Sequence, residues 1–225
     1  MINQGWFILF ATFIGITSCG QENPRDEQQA GNLDVIIPGY GDLQKVRYSD
    51  NAEVFGIMSG GCTVTHIGEN IGMTAGHCLR SRSCSSNYDV LWGYTTDNRQ
   101  GTMHSKCVQV LAVEQNDAKD YAFIRYDQAP KVYLPVNTER KPATGEKIII
   151  YSHPRGRTLE TSGWCTVKGQ TMGQRFRYFC DTEGGSSGAA ILNERFEIVG
   201  IHNLGNSYQR FNAGTYIMST PLAGN

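Results

Sequence analysis

The sequence lacks an excess of charge of either sign. Its 225 residues contain 20 Lys and Arg against 21 Asp and Glu, a formal net charge of -1 at pH 7. A nucleic-acid-binding domain normally shows a clear basic excess, clustered on one face. We therefore expect no nucleic-acid partner.

Two metal-binding patterns are also missing. The chain has seven cysteines but no Cys-x-x-Cys pair, and it has no His-Glu-x-x-His sequence. These are the common short signatures of structural and catalytic zinc sites. The sequence predicts no metal site.

No apolar run of membrane-spanning length stands at the N-terminus. Residues 6–17 are apolar, but a spanning helix needs about 20 such residues, so this length suits the core of a signal peptide. Residues 1–5 lack the expected Lys or Arg, while Ile-Thr-Ser-Cys-Gly at 16–20 resembles a bacterial lipobox. Residues 1–19 are thus predicted to be a signal peptide ending in a lipidated Cys19, and a plain secretory signal is the alternative.

Residues 20–34 have little apolar content and are rich in Gln, Glu, Asn and Asp. Such a segment cannot bury enough surface to fold. We interpret it as a disordered tether or propeptide, which places the protein at the bacterial surface or outside the cell. The remaining six cysteines can form three disulfides in that oxidising compartment.

A glycine-rich turn at residues 181–190, Asp-Thr-Glu-Gly-Gly-Ser-Ser-Gly-Ala-Ala, organises the chain. Glycine lets the backbone approach a substrate carbonyl and adopt dihedrals closed to other residues. The amides of Gly185 and Ser187 can then point at one developing oxyanion. We favour Ser187 over Ser186 as the nucleophile because it lies between Gly185 and Gly188, and we expect Glu183 to be solvated.

A serine nucleophile needs a base that is itself held by a third group. His77 is the predicted base, in Thr-Ala-Gly-His-Cys at 74–78. Asp120 precedes the apolar run 121–126 and is predicted to orient His77, with Asp117 as its rival. His66, His104 and His153 have no motif around them and are interpreted as structural or surface residues.

Short, glycine-bounded, β-prone runs fill the rest of the chain, which has 26 glycines and no long amphipathic helical pattern beyond the N-terminus. This is typical of an all-β barrel or sandwich. Twelve runs are predicted as strands: residues 54–58, 62–67, 70–74, 89–94, 107–113, 121–126, 147–151, 163–167, 175–180, 189–192, 197–202 and 214–218. A polar connector at 130–142 divides them into halves at 35–130 and 131–225, with the site in the cleft between the halves.

The order His, Asp, Ser and the histidine motif resemble those of chymotrypsin-like serine proteases. More narrowly, the chain resembles the bacterial glutamyl endopeptidases of the staphylococcal V8 type. The residues that carry this second resemblance are Val-Ile-Ile-Pro at 35–38, Gly-Gly-Ser-Ser-Gly at 184–188, Val-Gly-Ile-His at 199–202 and Phe-Asn-Ala-Gly at 211–214.

The resemblance implies two six-stranded antiparallel β-barrels and a monomeric, cofactor-free endopeptidase that acts on proteins or peptides. It also implies a disulfide between Cys62 and Cys78. Proximity in sequence favours Cys84 with Cys107 and Cys165 with Cys180, although pairings cannot be deduced from spacing alone.

Cleavage after acidic residues is the predicted specificity. A buried substrate carboxylate must be paired or hydrogen-bonded, and residues 181–185 and 198–203 contain no Lys or Arg. Thr182 and His202 are therefore the predicted donors, and the resemblance adds the free amine of a mature N-terminus at Val35. Asp34 precedes Val35, so the enzyme, made as a zymogen, could process itself.

Two other functions stay open at this point. One is the same protease with a preference for small or apolar residues, in which Thr182 and His202 are structural. The other is a non-catalytic surface binding protein on the same fold. The presence of all three of His77, Asp120 and Ser187 argues against the second, because a degenerate member usually loses at least one.

Overall fold

The computed structural model describes residues 43–171, 173–206 and 209–223. Cys19, Val35 and the predicted signal peptide and tether lie outside these ranges. The strands within them are β1 (Gln44–Lys45), β2 (Phe55–Met58), β3 (Thr63–His66), β4 (Ile71–Thr74), β5 (Val90–Trp92), β6 (Met103–Ser105), β7 (Cys107–Gln115), β8 (Asp120–Tyr126), β9 (Lys147–Ser152), β10 (Glu160–Thr161), β11 (Cys165–Gln170), β12 (Arg175–Tyr178), β13 (Ala190–Leu192), β14 (Ile198–Asn206) and β15 (Phe211–Tyr216). Six short 3₁₀ turns and no α-helix accompany them in the described part of the chain.

The strands form two antiparallel sheets. Seven strands of the first half lie in the order β6-β5-β2-β3-β4-β8-β7. In the second half, β9-β11-β12-β15-β14-β13 form a six-stranded barrel, which closes through pairing of β13 with β9. The predicted all-β, two-barrel class is thus confirmed, with one closed barrel and one curled sheet.

Every predicted run overlaps a strand, and three short strands were missed: β1, β6 and β10. β10 extends the second sheet beside β9, and β1 pairs with β10, Gln44 facing Thr161. A strand from before residue 130 therefore joins the sheet of the second half. The domain boundary at 130/131 stays a prediction.

The two sheets pack on each other through a shared apolar cluster. Phe55, Met73 and Phe123 from the first sheet contact this cluster together with Ile149 and Leu192 from the second. Each half also has its own core, around Trp92 in the first and around Phe176 in the second. The interface fixes the halves against each other, which a site built from both requires.

Three disulfides join Cys62 to Cys78, Cys84 to Cys107 and Cys165 to Cys180. These are the pairs expected from resemblance and proximity. The first ties the start of β3 to the 3₁₀ turn Gly76–Cys78, which carries His77. Among the residues placed by the structure, no helix has the length and apolar content needed to cross a membrane.

Candidate active site

His77 lies in a 3₁₀ turn that directly follows β4. Glycine is required before it, because a Cβ on Gly76 would collide with the Glu114 carbonyl and lie 3.0 Å from Asp120 Oδ1. His77 also lies beside the sulfurs of Cys62 and Cys78. Among the described residues, these three are the one cluster of His, Cys, Asp or Glu side chains close enough together to hold a metal ion. Those sulfurs are joined in a disulfide and offer no thiolate.

The Asp120 carboxylate holds His77 at two points. Oδ2 lies 2.6 Å from His77 Nδ1, and Oδ1 accepts the His77 backbone N–H at 2.9 Å. In the neutral imidazole, a carboxylate at this position accepts from Nδ1–H, and the lone pair of Nε2 is then available to act as a base. Asp117, the alternative, is exposed in the turn before β8.

The backbone of Asp120 is held in place by residues of the second sheet. Its backbone N–H donates to Thr215 Oγ1 at 3.0 Å, and its carbonyl accepts from Asn203 Nδ2 at 2.9 Å. Asn203 also donates to Thr215 Oγ1 at 2.7 Å. These buried contacts link the start of β8 to β14 and β15, and sequence reasoning assigned no role to Asn203 or Thr215.

The two adjacent serines have different surroundings. Ser186 is fully buried, and its Oγ lies 3.0 Å from Ser152 Oγ and accepts the Glu183 N–H at 3.3 Å. Ser187 is only half-buried, and its hydroxyl makes no hydrogen bond within the described chain. Its carbonyl accepts the Thr63 N–H at 2.9 Å. Of the two serines, Ser187 is the one available to a substrate.

The serine turn contains two backbone N–H groups, those of Gly185 and Ser187, that have no acceptor among the described residues. Gly185 has φ +91° and Gly188 φ +87°, conformations that favour glycine. Gly188 packs against Thr63, Thr74 and Ala75, so the turn lies beside the segment that leads to His77. Neither the Gly185 nor the Ser187 amide donates to an acceptor in residues 43–171, 173–206 or 209–223, which leaves both for an oxyanion.

Thr182 and His202 are both buried, 2% and 4% exposed. Tyr178 Oη lies 2.6 Å from His202 Nδ1 and has no other acceptor in the described structure, so the hydroxyl donates and the imidazole proton is on Nε2. Burial, and secondarily the charge of His77, lowers the pKa of His202 to about 3. Burial raises the pKa of Tyr178. His202 is therefore a neutral Nε2–H donor.

Glu183 is not solvated, contrary to expectation. Its side chain is 9% exposed and pairs with two arginines: Arg155 Nε at 2.6 Å, and Arg157 through two 3.0 Å hydrogen bonds. The sequence signal for this contact is the Pro-Arg-Gly-Arg turn at 154–157, which follows β9 and was left without a role. His66 and His153 are buried, in agreement with a structural interpretation.

Comparison with known proteins identifies the class. The family model described as a trypsin-like peptidase domain matches residues 59–201, well over half of the chain. The protein belongs to this family, which confirms the predicted relationship to chymotrypsin-like serine proteases.

Solved structures agree on the fold. A structure of a Glu endopeptidase in complex with MPD matches with a TM-score of 0.68 and 23% identity, covering 82% of this chain and 94% of that one. Neuropsin, a serine protease of mouse brain, matches with a TM-score of 0.64 and 16% identity, covering 80% and 96%. No curated protein sequence matches the chain.

Proposed function

We propose that the protein is a serine endopeptidase in which Ser187 is the nucleophile, His77 the general base and Asp120 the residue that orients it. The observation that supports this most directly is the contact of 2.6 Å between Asp120 Oδ2 and His77 Nδ1. The segment that leads to His77 packs against the serine turn, in which Ser187 is half-buried and the Gly185 and Ser187 amides are unused. A binding protein on this fold would have no need of that arrangement.

In this proposal Ser187 Oγ attacks the scissile carbonyl while His77 Nε2 takes its proton and later returns it to the leaving amine. The carbonyl oxygen becomes an oxyanion and accepts from the Gly185 and Ser187 amides. Asp120 keeps Nδ1 protonated and stabilises the imidazolium that forms. A water molecule then hydrolyses the acyl-enzyme by the same proton transfers.

The test is covalent labelling with a fluorophosphonate probe. Ser187→Ala should abolish labelling and lower turnover by about 10⁶-fold, by the precedent of triad knockouts. Ser186→Ala should still label, although it loses the contact with Ser152. A wild-type protein that does not label would contradict the assignment. So would a label that Ser186→Ala abolishes and Ser187→Ala retains.

We further propose cleavage after acidic residues, with Glu preferred to Asp. His202 Nε2–H and Thr182 Oγ1–H are buried donors. His202 lies on β14, and Thr182 lies in the segment that leads to Ser187. Because His202 is neutral, these two groups supply hydrogen bonds but no positive charge. The free amine of Val35 is proposed to supply the charge once the chain is cut after Asp34.

A peptide-library profile tests the acidic preference. The protein that begins at Val35 should favour Glu before the cut, and His202→Ala should lose this preference more than it loses activity at apolar sites. The same protein retaining Asp34 should show a weaker preference. A wild-type profile led by Ala, Val or Phe would exclude the acidic pocket and leave the protease assignment intact.

Export to an oxidising compartment agrees with the three disulfides. Tethering through a lipid on Cys19 remains part of the proposal, and cleavage at Asp34 would release the enzyme from it. Incorporation of labelled fatty acid by the wild type and not by Cys19→Ala tests the tether; soluble export without label would indicate a plain signal peptide.

A further inference from the structure

Glu183 carries a carboxylate two residues before the Gly185 amide. Its side chain is 9% exposed, and a buried carboxylate is stable only when it is paired and hydrogen-bonded. The partners come from one turn: Arg155 Nε lies 2.6 Å from Oε2, and Arg157 donates to both oxygens at 3.0 Å. The serine turn is therefore tied to residues 153–157.

Arg157 connects Glu183 to the sheet as well. Its Nε and Nη2 donate to the two oxygens of Glu160 at 2.9 and 3.0 Å, and the Glu160 side chain is 6% exposed. Glu160 lies on β10, which is paired on one side with β9 and on the other with β1. The planar guanidinium can donate to both oxygens of each of two carboxylates, a geometry that a lysine ammonium does not offer. These carboxylates raise the pKa of Arg157 further.

The backbone of the same turn holds the peptide between Gly184 and Gly185, whose N–H is a proposed oxyanion donor. Arg155 N–H donates to the Gly184 carbonyl at 2.5 Å. That carbonyl and the Gly185 N–H belong to one planar, trans peptide, so they point in opposite directions. Fixing the carbonyl on Arg155 therefore directs the Gly185 N–H away from the turn.

The fit between the two turns is tight. A Cβ on Gly185 would lie 2.7 Å from the His153 carbonyl oxygen and 2.9 Å from Arg155 N. Arg155 itself has φ +51°, a left-handed conformation that costs a non-glycine residue energy and persists when its surroundings hold it there. The ion pairs of Arg155 and Arg157 with Glu183 are among the contacts that hold this turn.

We propose that the Glu183–Arg157 ion pair positions the oxyanion donor: it holds residues 153–157 against Gly184 and thereby sets the direction of the Gly185 N–H. Glu183 and Arg157 are positioning residues that do not touch the substrate. This inference rests on the proposed protease function and adds a determinant of its rate.

The variants are Glu183→Gln and Arg157→Lys. The first keeps the shape of the side chain and removes its charge. The second keeps the charge and loses the planar guanidinium that donates to both oxygens of a carboxylate. The matched control is Glu146→Gln, because both oxygens of Glu146 accept from one arginine, Arg140, at 2.7 and 3.1 Å, as those of Glu183 accept from Arg157. The measurements are the fluorophosphonate labelling rate, kcat and KM for a peptide 4-nitroanilide with Glu before the cut, and Tm.

Loss of one oxyanion donor lowers kcat by about 10²–10³-fold, and a misdirected donor should cost somewhat less. Glu183→Gln is expected to lower kcat and the labelling rate by roughly 10–100-fold with KM changed less than about threefold. Arg157→Lys should show an intermediate loss. Glu146→Gln should lower Tm by a similar amount and keep kcat.

A Glu183→Gln protein with wild-type kcat and labelling rate would overturn the inference, and so would equal losses in the Glu146→Gln control. If Glu183→Gln does not fold, Arg157→Lys decides by the same criteria. If the wild type labels without cleaving the nitroanilide, the acidic preference fails and the labelling rates decide. A wild type that does not label removes both the protease function and this inference.

Discussion

The surroundings of His202 decide whether this proposed substrate-binding residue is a cation or a neutral donor. Burial holds its pKa at about 3, so no imidazolium forms at neutral pH. Tyr178 is the one group in the described chain that hydrogen-bonds to the ring, and it determines which nitrogen carries the proton. Tyr178, to which the sequence analysis gave no role, thereby sets the tautomer of a residue proposed to bind the substrate.

Tyr178→Phe should weaken recognition of Glu because Nδ1 then loses its donor and the Nε2–H tautomer is no longer enforced. We expect kcat/KM for a Glu peptide to fall by about tenfold, the size of a typical hydrogen-bond contribution. The measurement compares peptides with Glu, Gln or Ala before the cut, and the Ala peptide should change little.

Tyr216→Phe is the matched control. Tyr216 is 1% exposed in the same barrel and stacks on Phe176, yet its hydroxyl makes no hydrogen bond within the described residues. This variant should leave the ratio of Glu to Ala cleavage unchanged. An equal loss for all three peptides in Tyr178→Phe would mean that the hydroxyl only stabilises the barrel.

Among the strands, the sequence predicted those that lie in β-prone apolar runs and missed those that do not. β1 is Gln-Lys, β10 is Glu-Thr and β6 is Met-His-Ser, so none of the three contains an apolar run that would mark it as a strand. The positions of His77, Asp120 and Ser187 were predictable because each stands in a short local motif. The Glu183–Arg157 contact was not, since it joins residues 26 apart through the fold.

Gly188 and Gly145 have nearly equal φ angles but different surroundings. Substituting each of them therefore separates the effect of backbone strain from that of close packing. Gly188 has φ +87° and its Cβ would collide with Thr74 Oγ1 and the Thr63 carbonyl, whereas Gly145 has φ +86° and nothing within 4 Å. Gly145→Ala should cost about 1–2 kcal/mol of unfolding free energy from strain alone. Gly188→Ala should cost roughly 1–3 kcal/mol more, by overpacking.

Urea unfolding of both glycine variants, with fluorophosphonate labelling in parallel, provides the measurement. Gly145→Ala should label like the wild type, and Gly188→Ala should lose labelling because the serine turn cannot keep its place against β3 and β4. Equal unfolding free energies for the two variants would show that the serine turn can move away from Thr63 at no cost.

At the scale of the whole molecule, the candidate site exists only where the two sheets meet. His77 follows β4 and Asp120 begins β8, both in the first sheet, whereas Ser187 lies in the turn before β13 and His202 on β14, both strands of the second. The buried contacts of Asn203 and Thr215 with Asp120 cross the same boundary. Stability and site geometry therefore depend on the same set of buried polar groups between the sheets.

Buried histidines make that stability sensitive to acid. Burial lowers the pKa of His66, of His153 to about 4 and of His202 to about 3, against 6.5 when unfolded. The groups facing His153 are the Arg157 and Phe55 backbones and the Glu160 carboxylate, which only partly offset its burial. Between pH 6.5 and the folded values the unfolded chain binds more protons, so stability falls as pH falls.

Each of His153 and His202 should lower the unfolding free energy by on the order of 2 kcal/mol at pH 5 relative to pH 7. Urea unfolding of Ser187→Ala, which cannot digest itself, measures the difference. His153→Gln in this background should reduce the drop by its own share of about 2 kcal/mol, although it is less stable at pH 7 because the buried ring is lost. His104→Gln should leave the drop unchanged, since His104 is exposed. Equal unfolding free energies at pH 7 and pH 5 would contradict the argument, because they would require the buried rings to accept protons as readily as exposed ones.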